Sequence, residues 1–388
     1  MTGTFDVLIV GAGVTGLATA IKTSGLGLKT LIVEKDSFVG GNIKSSALTW
    51  LSDIKKWAPA ANAINQKYNS FKIKSLNSSK EVTVSFSKDV ACTLNFSIFL
   101  KGLFNKNKKI RAIFGRSVLK PIFHNGGISK VVLSDGRKIS ASLFIDASGE
   151  KAVLARSLGM IPKVRELGIG IEYEFKNVCI KNKKQFCIFV GEHEVVPVGY
   201  GWVFPLRNNC ARIGVATSFL SGKVSPSKRI VRYLENFLAR SEISPLIRKA
   251  EKIETHGGVY PVGGMLKRLC NSNLMVVGDA ASQANPLFGE GIRYGLHFGE
   301  VAGETASKIL KNNVNSSNFF EAYQKECEKY VGDSFQSITE LDDLPANVFW
   351  EKVIAGINYL KKNKQKMKIL KLLRNELSKK ELGRLFNG

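Results

Sequence analysis

The chain has 388 residues, with 57 Lys and Arg against 32 Asp and Glu, a formal charge of +25. A hydrophobic content of 44% and 36 glycines exclude a disordered or fibrous chain, and the length suits roughly two or three core-bearing units. The longest uncharged run near the start, Val7–Ile21, is 15 residues long and holds three glycines. A bilayer span needs about 20 apolar residues, so no transmembrane helix is expected. No Lys or Arg precedes that run and no small-residue cleavage pattern follows it, so no secretory signal is read. Six cysteines lie far apart without a CxxC pair. That argues against a zinc ribbon or dithiol centre, and reduced thiols in a cytoplasmic protein with no metal site are expected.

In chain order, Asp6–Val10 is a short β-branched run, read as a buried parallel strand. Gly11-Ala-Gly13-Val-Thr-Gly16 follows, then a helix over Leu17–Ser24, glycine breakers, and a second strand, Thr30–Val33, closed by Glu34. Gly11 permits the tight turn, Gly13 lets a pyrophosphate approach the backbone, and Gly16 lets helix and strand pack closely. The helix N-terminus favours phosphate. Glu34 is placed to accept from an adenosine ribose, which selects FAD or NAD over NADP. The glycine pair at Gly40 and Gly41, just past Glu34 and Lys35, favours FAD and adds Lys35 and Gly41 to the cofactor set. Strands near 70–87 are expected to join a second sheet, although Ala61–Ile64 and Lys72–Leu76 read as irregular. Asn95 leads into a helix near 96–103. Leu143-Phe-Ile-Asp146-Ala-Ser-Gly149 reads as a strand-end turn against the cofactor.

Further on, Tyr200, Trp202 and Phe204 alternate before Pro205, so a strand would present all three on one face. Asn273–Val277 is another buried-strand run. It leads into Gly278-Asp279-Ala-Ala, then Asn285-Pro286-Leu-Phe-Gly289-Glu-Gly291-Ile292 and a helix over about 291–310. Asp279 can hydrogen-bond a ribityl hydroxyl, and Pro286 and Gly289 allow close approach to a flat ring. The N–H groups of Gly291 and Ile292 would face the flavin edge that becomes negative on reduction. No second GxGxxG unit follows, so no separate nicotinamide domain is expected.

The charge is concentrated in two stretches. Lys101–Lys120 holds seven basic residues and no acid, and Lys361–Lys380 holds nine against Glu376. In the second, Met367, Leu370, Leu373 and Leu377 recur at helical spacing with lysines off that stripe. A basic amphipathic helix can lie in a membrane interface, and it can equally pack its apolar side on the core. No recognition motif accompanies the charge, so no nucleic acid partner is expected.

Taken together, the Gly11-to-Gly16 motif with Glu34, the Tyr200-x-Trp202-x-Phe204-Pro205 segment, Gly257-Gly-Val-Tyr-Pro261 and the Gly278-to-Ile292 segment resemble the geranylgeranyl reductase family, single-Rossmann flavoproteins of the p-hydroxybenzoate hydroxylase-like class. The resemblance implies an α/β fold: a Rossmann-like FAD-binding domain, a substrate domain on an antiparallel sheet, and a helical C-terminal tail. It implies FAD, an isoprenoid lipid substrate whose C=C bonds are reduced, and a channel lined by Tyr200, Trp202, Phe204 and Pro205. The expected FAD-binding domain comprises 1–159 and 256–312, with 50–90 partly joining a substrate domain over 160–255 and a helical region over 313–388. The electron donor would be NAD(P)H or a ferredoxin. The basic tail would give peripheral contact with the inner membrane surface. Two departures stand out: no Cys lies in 40–49, and Asn95 stands where the family often carries Arg. Catalytic residues stay unassigned, with Tyr200, Tyr260, His297 and bound water as proton-donor candidates. Two other functions remain open on the residues alone. One is a flavin monooxygenase or halogenase, since halogenases carry a related Trp-x-Trp-x-Ile-Pro segment. The other is a non-catalytic flavin-binding protein at a membrane surface.

Overall fold

A computed structural model describes residues 4–42, 46–57, 60–191, 195, 199–220, 227–312, 316–340 and 346–387. Its centre is a parallel sheet with the strand order Leu274–Val276, Lys138–Asp146, Phe5–Val10, Thr30–Val33, Arg111–Ile113. Neighbours along that path all run parallel, and Cys270–Asn271 adds a short antiparallel edge. These strands are apolar almost without interruption because helices and loops cover both faces. Lys138–Asp146 also carries an antiparallel ribbon formed with Gly127–Leu133 and Val118–His124.

The motif helix spans Val14–Gly25 and lies against the long helix Ile292–Asn312. Gly295, Gly299 and Gly303 recur every four residues on the long helix and face the motif helix. A Cβ on Gly299 would lie 2.6 Å from the Thr15 carbonyl oxygen, and one on Gly303 would lie 2.6 Å from Lys22 Cβ. Bare backbone on one side is what allows this spacing.

A second sheet has seven strands in the order Glu251–Pro261, Glu166–Lys176, Ala211–Leu220, Gly199–Pro205, Gln185–Val190, Ser70–Ser75, Glu81–Ser85. All its pairs are antiparallel except Gln185–Val190 with Ser70–Ser75, which run parallel. The stretch from Lys72, read from sequence as irregular, is regular strand through Ser75, paired on both sides. Phe71 and Ile73 point into the core while Lys72 and Lys74 stay half-exposed. Ala61–Ala63 forms one 3-10 turn and Ile64–Tyr68 a strand of a small third sheet with Leu48–Trp50 and Ala91–Leu94. The strand Glu251–Pro261 runs through residue 256, where the sequence placed a domain boundary.

The C-terminal region is helical over Ser316–Glu340, Ala346–Lys362, Lys366–Leu373 and Lys379–Asn387. Its apolar stripe is largely spent inside the protein. Leu373 and Leu377 are buried with Trp350, Ile354, Ile357, Val82 and Val84, whereas Met367 is 70% exposed. Among the described residues, no helix is long and apolar enough to cross a membrane.

Replacing Gly299 by Ala forces the two helices apart, and overpacking of this kind costs about 1–3 kcal/mol. A lower melting temperature together with reduced flavin retention is expected. An unchanged melt would show that the glycine contact is not limiting.

Candidate active site

The three motif glycines have three different surroundings. Gly11 adopts φ +106, and a Cβ there would sit 2.4 Å from the Ala147 carbonyl oxygen. A Cβ on Gly16 would sit 2.0 Å from the Gly11 carbonyl oxygen. Gly13, the N-cap of the motif helix, meets nothing within 4 Å. It therefore borders open space at a helix N-terminus, where orphan N–H groups and the helix dipole favour phosphate. Gly149, on the adjoining turn with φ +72, borders open space as well. Two open cradles at the C-terminal ends of neighbouring parallel strands fit a dinucleotide pyrophosphate.

Glu34 closes its strand, and its carboxylate already accepts from the Ala12 N–H at 2.6 Å and the Asp36 N–H at 2.9 Å. A carboxylate has about four acceptor positions, so two remain for a ribose. Lys35 turns to Asp36 at 2.9 Å, and Gly41 packs over the Phe38 ring.

At the other end, Asp279 follows the strand Leu274–Val276, and burial pushes its carboxyl up to about 6, against the nearby positive charge of Arg165. Arg165 is a residue that the sequence reading missed. It is buried and bonds Ser282 Oγ at 2.7 Å, joining the loop after residue 160 to the flavin-end segment. Gly291 lies over Asp279, where a Cβ would come 3.2 Å from Oδ1. Gly289 has φ +62, and a Cβ there would strike the Tyr260 ring at 2.2 Å. A Cβ on Gly168 would come within 2.4 Å of the same ring, so Tyr260 wedges the seven-stranded sheet against the flavin-end loop. Pro286 sits half-buried in that loop, and Ile292 is buried at the start of the long helix.

An open cavity lies between this loop and the seven-stranded sheet, with about 770 Å³ of empty space that includes solvent at its mouth. Phe71, Phe186, Ile188, Tyr200, Phe204 and Leu373 are among its walls, and Gly289, Glu290, Gly291 and Ile292 border it on the flavin side. The alternating aromatics do form a ladder. Tyr200 and Trp202 are 5.7 Å apart between ring centroids, and Trp202 and Phe204 5.9 Å. Tyr200 and Phe204 line the cavity, but Trp202 and Pro205 do not. Trp202 is turned across the sheet instead. Its register partner Gly214 has no side chain, so the indole reaches over it to Glu172 on the next strand, donating at 2.8 Å. Glu172 in turn meets His256 Nδ1 at 2.9 Å one strand further. Arg212 pairs with Glu174 at 2.9 Å and donates to the Ser46 and Leu94 carbonyls. Burial alone would lower the His256 pKa, but its hydrogen bonds to Glu172 and Glu254 outweigh that and raise it. The Pro205 carbonyl accepts from Tyr68 at 2.6 Å.

Of the proton-donor candidates, Tyr200 already donates to the Phe288 carbonyl at 2.5 Å, and burial drives its pKa well up. Burial also raises Tyr260. His297 stacks on Tyr330 at 3.6 Å, outside the cavity walls, and burial lowers its pKa. Asn95 supports the loop at Asn62 and Asn65 rather than the cavity.

The profile of the FAD dependent oxidoreductase family matches residues 6–159, and that of the geranylgeranyl reductase catalytic domain matches residues 167–259. Over these segments the chain resembles the geranylgeranyl reductase family. It is an FAD-dependent oxidoreductase acting on CH–CH groups. Digeranylgeranylglycerophospholipid reductase 3 of Methanosphaera stadtmanae is 28% identical over 359 residues, covering 88% of this chain and 87% of its own. The digeranylgeranylglycerophospholipid reductase of Methanocaldococcus jannaschii is 29% identical over 329 residues, covering 83% and 81%. Among solved structures, a geranylgeranyl bacteriochlorophyll reductase-like protein from Thermoplasma acidophilum superposes with a TM-score of 0.81 at 21% identity, over 90% of each chain. The flavin-dependent brominase Bmp2 superposes at 0.78 with 16% identity, over 96% of this chain and 94% of its own. Both likenesses establish the fold.

The glycine surroundings separate folding from cofactor binding in this reductase. Gly13→Ala projects a methyl group into open space, so the chain folds with near-normal melting but retains less FAD. Gly16→Ala collides with the Gly11 carbonyl and lowers soluble yield. Flavin-to-protein absorbance ratios and melting curves read both. A Gly13→Ala protein with full flavin content would remove the pyrophosphate from that cradle.

Proposed function

We propose that this reductase saturates C=C bonds of geranylgeranyl chains on a phospholipid, with one chain lying in the cavity between the aromatic strand and the flavin-end loop. The observation that carries this reading is the cavity itself, with apolar walls on one side and Gly289–Ile292 on the other. The names of the relatives supply the substrate class.

The cofactor would be held by Gly11, Gly13, Gly16, Glu34, Lys35, Gly41 and Gly149 at the adenosine and pyrophosphate end. Asp279, Pro286, Gly289, Gly291 and Ile292 would hold the flavin end. When bound, reduced FAD would supply the hydride. The chain's own residues do the rest. An isolated alkene is a poor hydride acceptor, so catalysis depends on position and on keeping water out. Phe71, Phe186, Ile188 and Phe204 offer an apolar wall whose side chains carry no polar group. The Tyr200 hydroxyl ties the wall to the flavin-end loop, and the buried bond from Trp202 to Glu172 braces the rings behind it. The proposed division is a cofactor unit over 1–159 and 256–312 and a substrate unit over 160–255, with strands from 50–90.

Lipid extracts from cells expressing the protein should gain two hydrogens per prenyl double bond by mass spectrometry, without need for oxygen. Product that appears only in air would instead indicate a monooxygenase.

We place the membrane contact at the tail. Tyr359 and Met367 are 60% and 70% exposed, among Lys361, Lys362, Lys364, Lys366, Lys368 and Lys371. A lipid phosphate or an acidic ferredoxin would both be drawn to this face, and NAD(P)H remains the other electron source. Exchanging Lys364, Lys368 and Lys371 for Gln should weaken salt-sensitive binding to anionic liposomes severalfold and leave neutral liposomes unaffected. Unchanged binding would exclude the tail as the docking face.

A further inference from the structure

We infer that Glu290 is the acid that delivers the proton to the substrate alkene, an assignment that rests on the proposed reading of the cavity. Among the described cavity-lining residues, Tyr200 and Glu290 carry the only ionisable side chains. The Tyr200 hydroxyl is committed to the Phe288 carbonyl. Glu290 stands between Gly289 and Gly291 on the flavin side of the cavity, and its side chain is only 10% exposed. Its two oxygens have different surroundings. Oε1 accepts from the Arg293 N–H at 2.8 Å and from Thr49 Oγ1 at 3.2 Å, which fixes the carboxyl at the start of the long helix. Among the described residues Oε2 has no hydrogen-bond partner, and Arg293 Nε lies 3.7 Å from it. A buried oxygen without a donor costs less as O–H than as O⁻.

The groups around the carboxyl act in both directions. Burial raises its pKa, and the negative charge of Asp53 adds to that. The Arg293 charge and N–H and the Thr49 hydroxyl work against it, with burial prevailing. A raised carboxyl pKa means that the folded protein keeps this proton to higher pH than a free glutamate would.

The step balances as follows. The proton leaves Oε2, and the π pair of the alkene forms the new C–H bond. The O–H pair stays on Glu290 as a carboxylate, which Arg293 stabilises. The other alkene carbon would take the hydride that reduced FAD supplies in the proposed reaction, so the flavin is oxidised by two electrons and the alkene reduced. Water reprotonates Glu290 between turnovers.

Glu290→Gln is the direct test, because the amide keeps an acceptor for Arg293 and Thr49 and has no proton to give. With the holoenzyme and a digeranylgeranyl phospholipid, kcat should fall about 100-fold or more while KM changes little. Glu290→Asp, still an acid, should restore part of kcat. Turnover in D2O should place deuterium at the carbon of each double bond that takes the proton. Independently of turnover, the infrared spectrum of the wild type at a pH just above the ordinary glutamate range should show the carbonyl stretch of a buried protonated carboxylic acid, lost in Glu290→Gln and shifted in Glu290→Asp. A Glu290→Gln kcat within about threefold of wild type would overturn the assignment, as would the absence of that band. If wild type reduced no polyprenyl lipid while the band was present, the functional reading would fail and the catalytic role with it. The band would show that the buried acid had been correctly described, so the two failures are distinguishable.

Discussion

The site depends on one close contact: two helices, far apart in sequence, meet backbone to backbone. Residues 14–25 leave the first strand and residues 292–312 leave the flavin-end loop, and each begins where its half of the cofactor site lies. Gly295, Gly299 and Gly303 remove side chains from the contact, and Thr15, Ala18 and Thr19 are small enough to fill it. Gly278 continues the same seam, since a Cβ there would strike Thr15 Oγ1 at 2.4 Å. With the seam closed, the two segments hold a fixed separation, and a long ligand can span them without ordering either one. Such preorganisation lowers the entropic cost of binding an extended cofactor.

The second sheet solves a different problem, the burial of charge next to an apolar cavity. Trp202, Gly214, Glu172 and His256 form one row across four strands, and Phe204, Arg212, Glu174 and Glu254 form the next. Each buried ionic group has a partner: Glu172 has the indole and His256, and Arg212 has Glu174 and two carbonyls. Buried charges are tolerated when they are paired and hydrogen-bonded. Their value here is orientation more than stability. The row fixes a large indole at the back of the wall whose front is Tyr200 and Phe204. Because pairing raises the His256 pKa, the stabilisation this ion pair gives is complete below the ordinary histidine value. It fades as pH rises through the raised one.

What could be read from sequence was what leaves a local mark. The parallel core was legible because buried strands are continuously apolar and because Gly11, Gly13 and Gly16 each report a backbone constraint. The aromatic ladder was legible from its period of two. The same period could not say that Trp202 would turn away from the cavity, because that depends on Gly214, which is nearby only through strand pairing. Phe71 and Ile73 were hidden by alternating lysines and by a parallel partner, Gln185–Val190, more than 100 residues away. Arg165 lies outside every motif, and Glu290 lies within the Gly278-to-Ile292 segment, where only the neighbouring glycines stood out. Their character comes from burial, which is a property of the assembled chain. The tail shows the same limit, since helical spacing revealed an apolar stripe without saying what the stripe would meet.

The charge acquires a more definite meaning once the tail is placed. Leu373 does three things at once: it ends the helix Lys366–Leu373, fills the core beside Trp350, and lines the cavity. Just after it, Arg374 pairs with Asp53 at 2.8 Å, and Glu376 bonds the buried Arg293 of the long helix at 2.5 Å. The basic segment is therefore fastened to the cavity wall and to the helix that begins the flavin-end site. Its apolar side is consumed by that fastening, so the outward face is left almost purely cationic, with Tyr359 and Met367 as the large apolar exceptions.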